Sequence, residues 1–226
     1  MRDDPVLLLG MHHSGTSIVA EVLHRHGVFM GADMAHYESR FFTLEIDDEL
    51  VMGGGASWAA VPILGVDDVL AKLDVVRREI ESKGLKRYRQ AGYDGRSRWG
   101  FKDPRACVTL PLFLEVFPRA QLVHVVRDAR DVAESLAASR KTGLGLLENR
   151  EHWRELQRQH VARAREWGTR HGDYLEFAYE DFCRRPVEVT RSIFDRLGLA
   201  WTSSVEEFLA TRVYTHRIGI AADRAR

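Results

Sequence analysis

The chain has 226 residues, 45% of them hydrophobic and 29% charged, and a formal net charge of zero. That apolar share excludes an intrinsically disordered chain, and the charge balance excludes a dedicated nucleic-acid binder. The two cysteines, Cys107 and Cys183, form no Cys-x-x-Cys pair, which points to a reducing compartment rather than a disulfide scaffold.

In chain order, Pro5–Gly10 is an unbroken apolar run and reads as a buried strand. A helix is predicted over Gly15–His26, with Ile18, Val19, Val22 and Leu23 on one face and Gly27 just past its end. Val28–Met30 reads as a short strand and His36–Met52 as a helix carrying Phe41, Leu44, Leu50 and Val51. Gly53–Trp58 reads as a glycine-rich connector. Asp67–Lys83 repeats Val69, Leu70, Leu73, Val76 and Ile80 at helical spacing, Gly84 is read as its stop, and Lys86–Ser97 as a polar surface loop. A strand over Arg98–Phe101 delivers Lys102-Asp103-Pro104-Arg105, and a helix follows over Ala106–Val116. Gln121–Val126 is another buried strand, after which Asp128 can cap a helix over Ala129–Arg140. Asn149–Gly168 reads as a long charged helix with Trp153, Leu156, Val161 and Trp167 inside, Tyr174–Tyr179 as a last strand, and Pro186 to Gly198 as a helix with its own start and stop. Strands alternating with helices give an α/β fold, a parallel sheet flanked by helices, with ligands beyond the carboxyl ends of the strands. No apolar run reaches membrane-spanning length and no leader peptide is legible, so the expectation is one soluble cytoplasmic domain over residues 1–226.

The stretch with most chemistry is Gly10-Met11-His12-His13-Ser14-Gly15-Thr16-Ser17. A strand, a turn with two glycines and a helix start make a phosphate cradle of P-loop type. An ATP-type loop needs a lysine for the β- and γ-phosphates after its last glycine, and Thr16 stands there instead. A cradle without that lysine suits a nucleotide without a γ-phosphate. A P-loop kinase or NTPase is the rival reading.

Four segments, in order, resemble the sulfotransferase family. Gly10–Ser17 resembles its 5′-phosphosulfate loop, and Val125–Ser135 its 3′-phosphate motif, with Arg127 at a strand end and Ser135 eight residues on. Trp99–Arg105 and Tyr179-Glu180-Asp181-Phe182 are similar to bacterial members and the tyrosylprotein branch. The resemblance implies a P-loop-like sulfotransferase fold and a donor, 3′-phosphoadenosine 5′-phosphosulfate (PAPS), that yields adenosine 3′,5′-bisphosphate without a metal. It implies that His12, His13, Ser14, Gly15, Thr16 and Ser17 contact the phosphosulfate, that Arg127 and Ser135 hold the 3′-phosphate, and that Tyr179 borders adenine. Arg217, in Arg217-Ile218-Gly219, is similar to a further 3′-phosphate contact. His13 departs from the family, which carries a permanent cation there. The catalytic set expected is Glu38 as base, Lys102 as the cation beside the sulfuryl group, and His13, with Asp47 and Asp103 in reserve as bases and Asp103 and Arg105 paired around Pro104. The acceptor is a hydroxyl on a small molecule or carbohydrate, bounded by residues 32–66, 84–98 and 141–150, with Phe41, Phe42, Trp58, Arg40 and Arg96 among their side chains. Oligomeric state is not legible.

Overall fold

The computed structural model describes residues 5–31, 33–53, 64–138, 149–214 and 218–219. Five strands form one parallel sheet in the order β2-β3-β1-β4-β5: β1 is Val6–Leu9, β2 Val28–Phe29, β3 Arg98–Lys102, β4 Gln121–Val126 and β5 Tyr174–Ala178. β1 is central. Leu7 pairs Phe101 on one side and Leu122 on the other, so every strand carboxyl end emerges along one edge.

Side chains alternate across the sheet, and that alternation sorts the core into two layers. Leu7, Leu9, Phe101 and Leu122 face the Ala106–Val116 and Arg150–His171 side, with Phe42 and Trp99. Val6, Leu8, Val123 and Val125 face the Thr16–Arg25, Pro186–Leu197 and Ser203–Arg212 helices. A third cluster seats Met11, from the turn after β1, against Val132, Leu136 and Trp153. The turn is therefore anchored by its apolar member while its polar members stay at the sheet edge.

The caps expected at Asp128, Pro186 and Gly198 hold, and Asn149 adds one more. Asp128 accepts from the Arg130 and Asp131 amides and starts Ala129–Ala137, and Asn149 accepts from His152 and starts Arg150–His171. Pro186 and the left-handed Gly198 bound the next helix.

Three readings are corrected. The helix expected over His36–Met52 begins only at Phe41, because His36 and Tyr37 take left-handed backbone (φ 64° and 58°). It is wound wide, with Met52 N–H donating to Asp47 O five residues back at 3.0 Å. Gly84 does not stop its helix: it is buried and right-handed inside a second wide segment, Ile80–Gly84. Leu85–Gln90 then continues as helix where a loop was expected, anchored by buried Tyr88, whose hydroxyl donates to Gly100 O at 2.9 Å. The acceptor-side reading of Phe42 is corrected as well. It is fully buried and stacked on Phe101 at 3.9 Å, a core contact that fixes the wide helix to β3. Trp58 and the distal part of the expected Ala129–Arg140 helix lie outside the described residues.

Candidate active site

The turn after β1 is a close-walled cradle. Gly10 has φ 146° and Gly15 φ 92°. A Cβ at Gly10 would lie 2.7 Å from both Thr16 Cγ2 and Val125 O, and one at Gly15 only 2.1 Å from Tyr179 Cδ2. Both positions therefore need glycine for space as well as for backbone. His13 holds a left-handed φ of 64° without that freedom, a strain of about 1–3 kcal/mol that the surroundings must hold in place. They do so: Ser14 N–H donates to Met11 O at 3.1 Å, and Arg127 Nη1 donates to His13 O at 2.8 Å. Gly15, with no side chain, caps the Thr16–Arg25 helix, so no side chain competes with an anion for its first amides.

The strand ends gather the expected residues around one cleft of about 700 Å³. His12, His13, Gly15, Thr16, Ser17, Glu38, Lys102, Arg127, Ser135 and Tyr179 all line it. Ser14 does not. It is fully buried, its hydroxyl donating to Gln157 Oε1 at 3.4 Å and its amide to Met11 O, so it shapes the turn from beneath. Arg217 lies outside the described residues, but nearby Gly219 donates its N–H to Asp131 Oδ2 at 2.7 Å.

At one end, buried Arg127 lies with its guanidinium carbon 4.9 Å from the centre of the Tyr179 ring and 3.9 Å, nitrogen to oxygen, from Asp131. Ser135 Oγ is 2.8 Å from His13 Nδ1, which joins the turn to the helix after β4. Gln157 ties the same parts from below, donating to Arg127 O at 3.1 Å. Sequence reading missed Gln157 because its neighbours in the chain are those of an ordinary charged helix.

At the other end Lys102, only 2% exposed, donates to Glu38 Oε1 at 2.6 Å. The two left-handed residues before Glu38 turn the chain so that this carboxylate meets the end of β3. Ile18, Met34, His36, Thr43, Leu44 and Pro104 complete the wall; no local motif marks them. Asp103 and Arg105 pair as expected, through Nε at 3.2 Å. Asp47 and Asp103 are fully buried and absent from the cleft lining, which removes both reserve bases.

The electrostatics follow from burial. His12 is held well below the usual imidazole range, first by burial and then by Lys102, His160, Arg105 and His13, so it meets a ligand as a neutral ring. Burial pushes the Cys107 thiol up to about 12, and its sulfur accepts the Gly10 N–H at 3.2 Å under the turn. Buried His160 is lowered to about 4, and Leu156 O lies 2.8 Å from its Nδ1. The unfolded chain therefore takes up a proton first as pH falls below the free imidazole value. His160 should cost the fold about 2–3 kcal/mol between pH 7 and pH 4.5. Urea unfolding at the two pH values should show that much less pH dependence in His160→Gln than in the parent.

Comparison with known proteins gives the same answer along most of the chain. A sequence model of the sulfotransferase family matches residues 5–203. An uncharacterised protein of Aquifex aeolicus (strain VF5) is 24% identical over 221 residues, 92% of this chain, which spans 27% of that protein's length. The fold is similar to the sulfotransferase domain of the Synechococcus PCC 7002 olefin synthase (TM-score 0.56, 20% identity, 90% of this chain and 77% of that one). It is also similar to mouse sulfotransferase SULT7A1 complexed with PAP (TM-score 0.59, 16% identity, 96% and 66%). With the family matched from before β1 to the start of the last described helix, this chain belongs to the sulfotransferase family.

Proposed function

We propose that the chain moves a sulfuryl group from PAPS to an acceptor hydroxyl by direct in-line transfer, releasing adenosine 3′,5′-bisphosphate. The observation that carries this reading is that one cleft holds both a phosphate cradle with Arg127, Ser135 and Tyr179 at one end and the Lys102–Glu38 pair at the other. The residues fit the donor. The Thr16–Arg25 helix opens at Gly15 without a side-chain cap, which leaves its first amides to an anion, Arg127 supplies a buried cation, and a threonine replaces the lysine that a γ-phosphate would require. Tyr179, its ring over Gly15, borders the base.

At the reacting end, Glu38 accepts the hydroxyl proton while the acceptor oxygen attacks sulfur and the bond from sulfur to the bridging oxygen breaks. Lys102, held by Glu38 beforehand, balances the charge that moves to the leaving oxygen. His13 contacts that same leaving side, and neutral His12 contributes hydrogen bonding. Positioning and charge do the catalysis, with no metal required.

Adenosine 3′,5′-bisphosphate at about a hundred times its dissociation constant should raise the melting temperature by roughly 5–10 °C in magnesium-free buffer. ATP with magnesium should leave it in place. The reverse pattern sinks the proposal in favour of a kinase or NTPase.

A further inference from the structure

Behind the Lys102–Glu38 pair lies a buried group the transfer step does not use. Asp47, on the Phe41–Val51 helix, and Asp103, next to Lys102, are both fully buried, and their carboxyl groups face each other. Arg105 is their nearest cation, and its donors are already directed. Its backbone N–H and Nε take Asp103 Oδ1 at 2.9 and 3.2 Å, Nη2 takes Thr43 O at 2.9 Å, and Nη1 faces Asp48 Oδ1 at 3.2 Å. Thr109, which also lies against Asp47, donates its hydroxyl to Arg105 O at 3.3 Å, and Cys107 is the other titratable group from that helix near the pair. Among the described residues, both oxygens of Asp47 and Oδ2 of Asp103 are left buried without a hydrogen-bond partner. Three buried acceptor oxygens, beside which the Thr109 hydroxyl is turned to Arg105 O, make an arrangement that a single proton resolves.

We propose that Asp47 is a positioning residue that carries this proton at neutral pH and donates it in a hydrogen bond to Asp103, locking the wide helix onto the end of β3. The lock matters because the same helix presents Thr43 and Leu44 to the cleft, while Lys102 stands one residue from Asp103. It fixes the acceptor wall relative to the transferring cation, and so rests on the sulfotransferase reading. The electrostatics agree. Burial pushes the Asp47 carboxyl well above the usual carboxylate range, the charge of Asp103 adds to this, and Arg105 opposes it. A carboxyl raised in the fold stabilises it only while protonated, so the lock weakens as pH rises through that raised value.

The experiment compares the full chain with Asp47→Asn and Asp47→Ala. Infrared spectra at neutral pH should show the carbonyl stretch of a protonated carboxylic acid in the parent and lose it in both variants. Asparagine keeps a donor without charge, so Asp47→Asn should match the parent in amide exchange over residues 41–51. Its KM for 2-naphthol, an acceptor probe that stays un-ionised around neutral pH, should stay flat where the parent's rises with pH. Asp47→Ala should exchange faster over that helix and raise the KM about tenfold or more, while adenosine 3′,5′-bisphosphate binds unchanged. An acid band that survives in Asp47→Asn, an Asn variant as impaired as the Ala variant, or nucleotide binding lost in step with acceptor binding would overturn the proposal. A parent that sulfates no phenol or alcohol counts against the functional reading, and the infrared and exchange results still decide the lock.

Discussion

Replacing Lys102 by alanine is expected to cut kcat by about 10²–10³-fold, the scale seen when one preorganised charge-stabilising donor is lost from an active site. Two things happen at once. The cation that faces the developing charge is gone, and Glu38 loses the partner that holds it 2.6 Å away at the mouth of β3. Nucleotide affinity should fall less than kcat, because Arg127, Ser135 and the Gly10–Ser17 turn remain to hold the rest of the donor. Rapid-quench turnover beside nucleotide titration separates the two quantities. An equal fall in nucleotide affinity and kcat would mean that Lys102 grips the donor rather than serving the transfer.

Gly15→Ala should damage both the fold and the nucleotide site. The new Cβ meets the Tyr179 ring at 2.1 Å, and the backbone there sits at φ 92°. Overpacking costs about 1–3 kcal/mol and a left-handed alanine about 1–2 more, so urea unfolding should lose roughly 2–5 kcal/mol. Adenosine 3′,5′-bisphosphate binding should disappear with the cradle. Truncating Tyr179 in the same chain removes the collision but not the backbone strain. The double variant Gly15→Ala/Tyr179→Ala should therefore be more stable than the sum of its parts, a coupling that a double-mutant cycle reads directly. Strict additivity would show that Tyr179 does not pack on Gly15 in solution.

The sheet was legible because buried parallel strands are written as unbroken apolar runs, and β4 was bounded to the residue by Gln121 and the turn before Asp128. Asp128, Pro186 and Gly198 were legible for the same local reason: a cap or a stop acts within a turn of itself. What failed depended on distant partners. Gly84 lies in a helix because the helix is packed there, and Leu85–Gln90, which reads as polar, is held by one buried ring. The Ser203–Arg212 helix went unforeseen although Val205, Phe208 and Leu209 fall at helical spacing. In the cleft, motifs located the residues that line it at the strand ends. They could not show that Ser14 turns inward to Gln157, or that Asp47 lies buried against Asp103 rather than at the surface.

The strand order has a consequence for where a substitution acts. Cradle, Arg127, Ser135 and Tyr179 hang from β1, β4 and β5, whereas Met34, His36, Glu38, Thr43 and Leu44 all belong to the crossover from β2 to β3. Only Lys102, Pro104 and Arg105, at the end of β3, join the two sets along the wall. Under the proposed function, a change within that crossover acts on the acceptor side first, and it must keep the Phe42 and Tyr88 contacts that seat the crossover on β3.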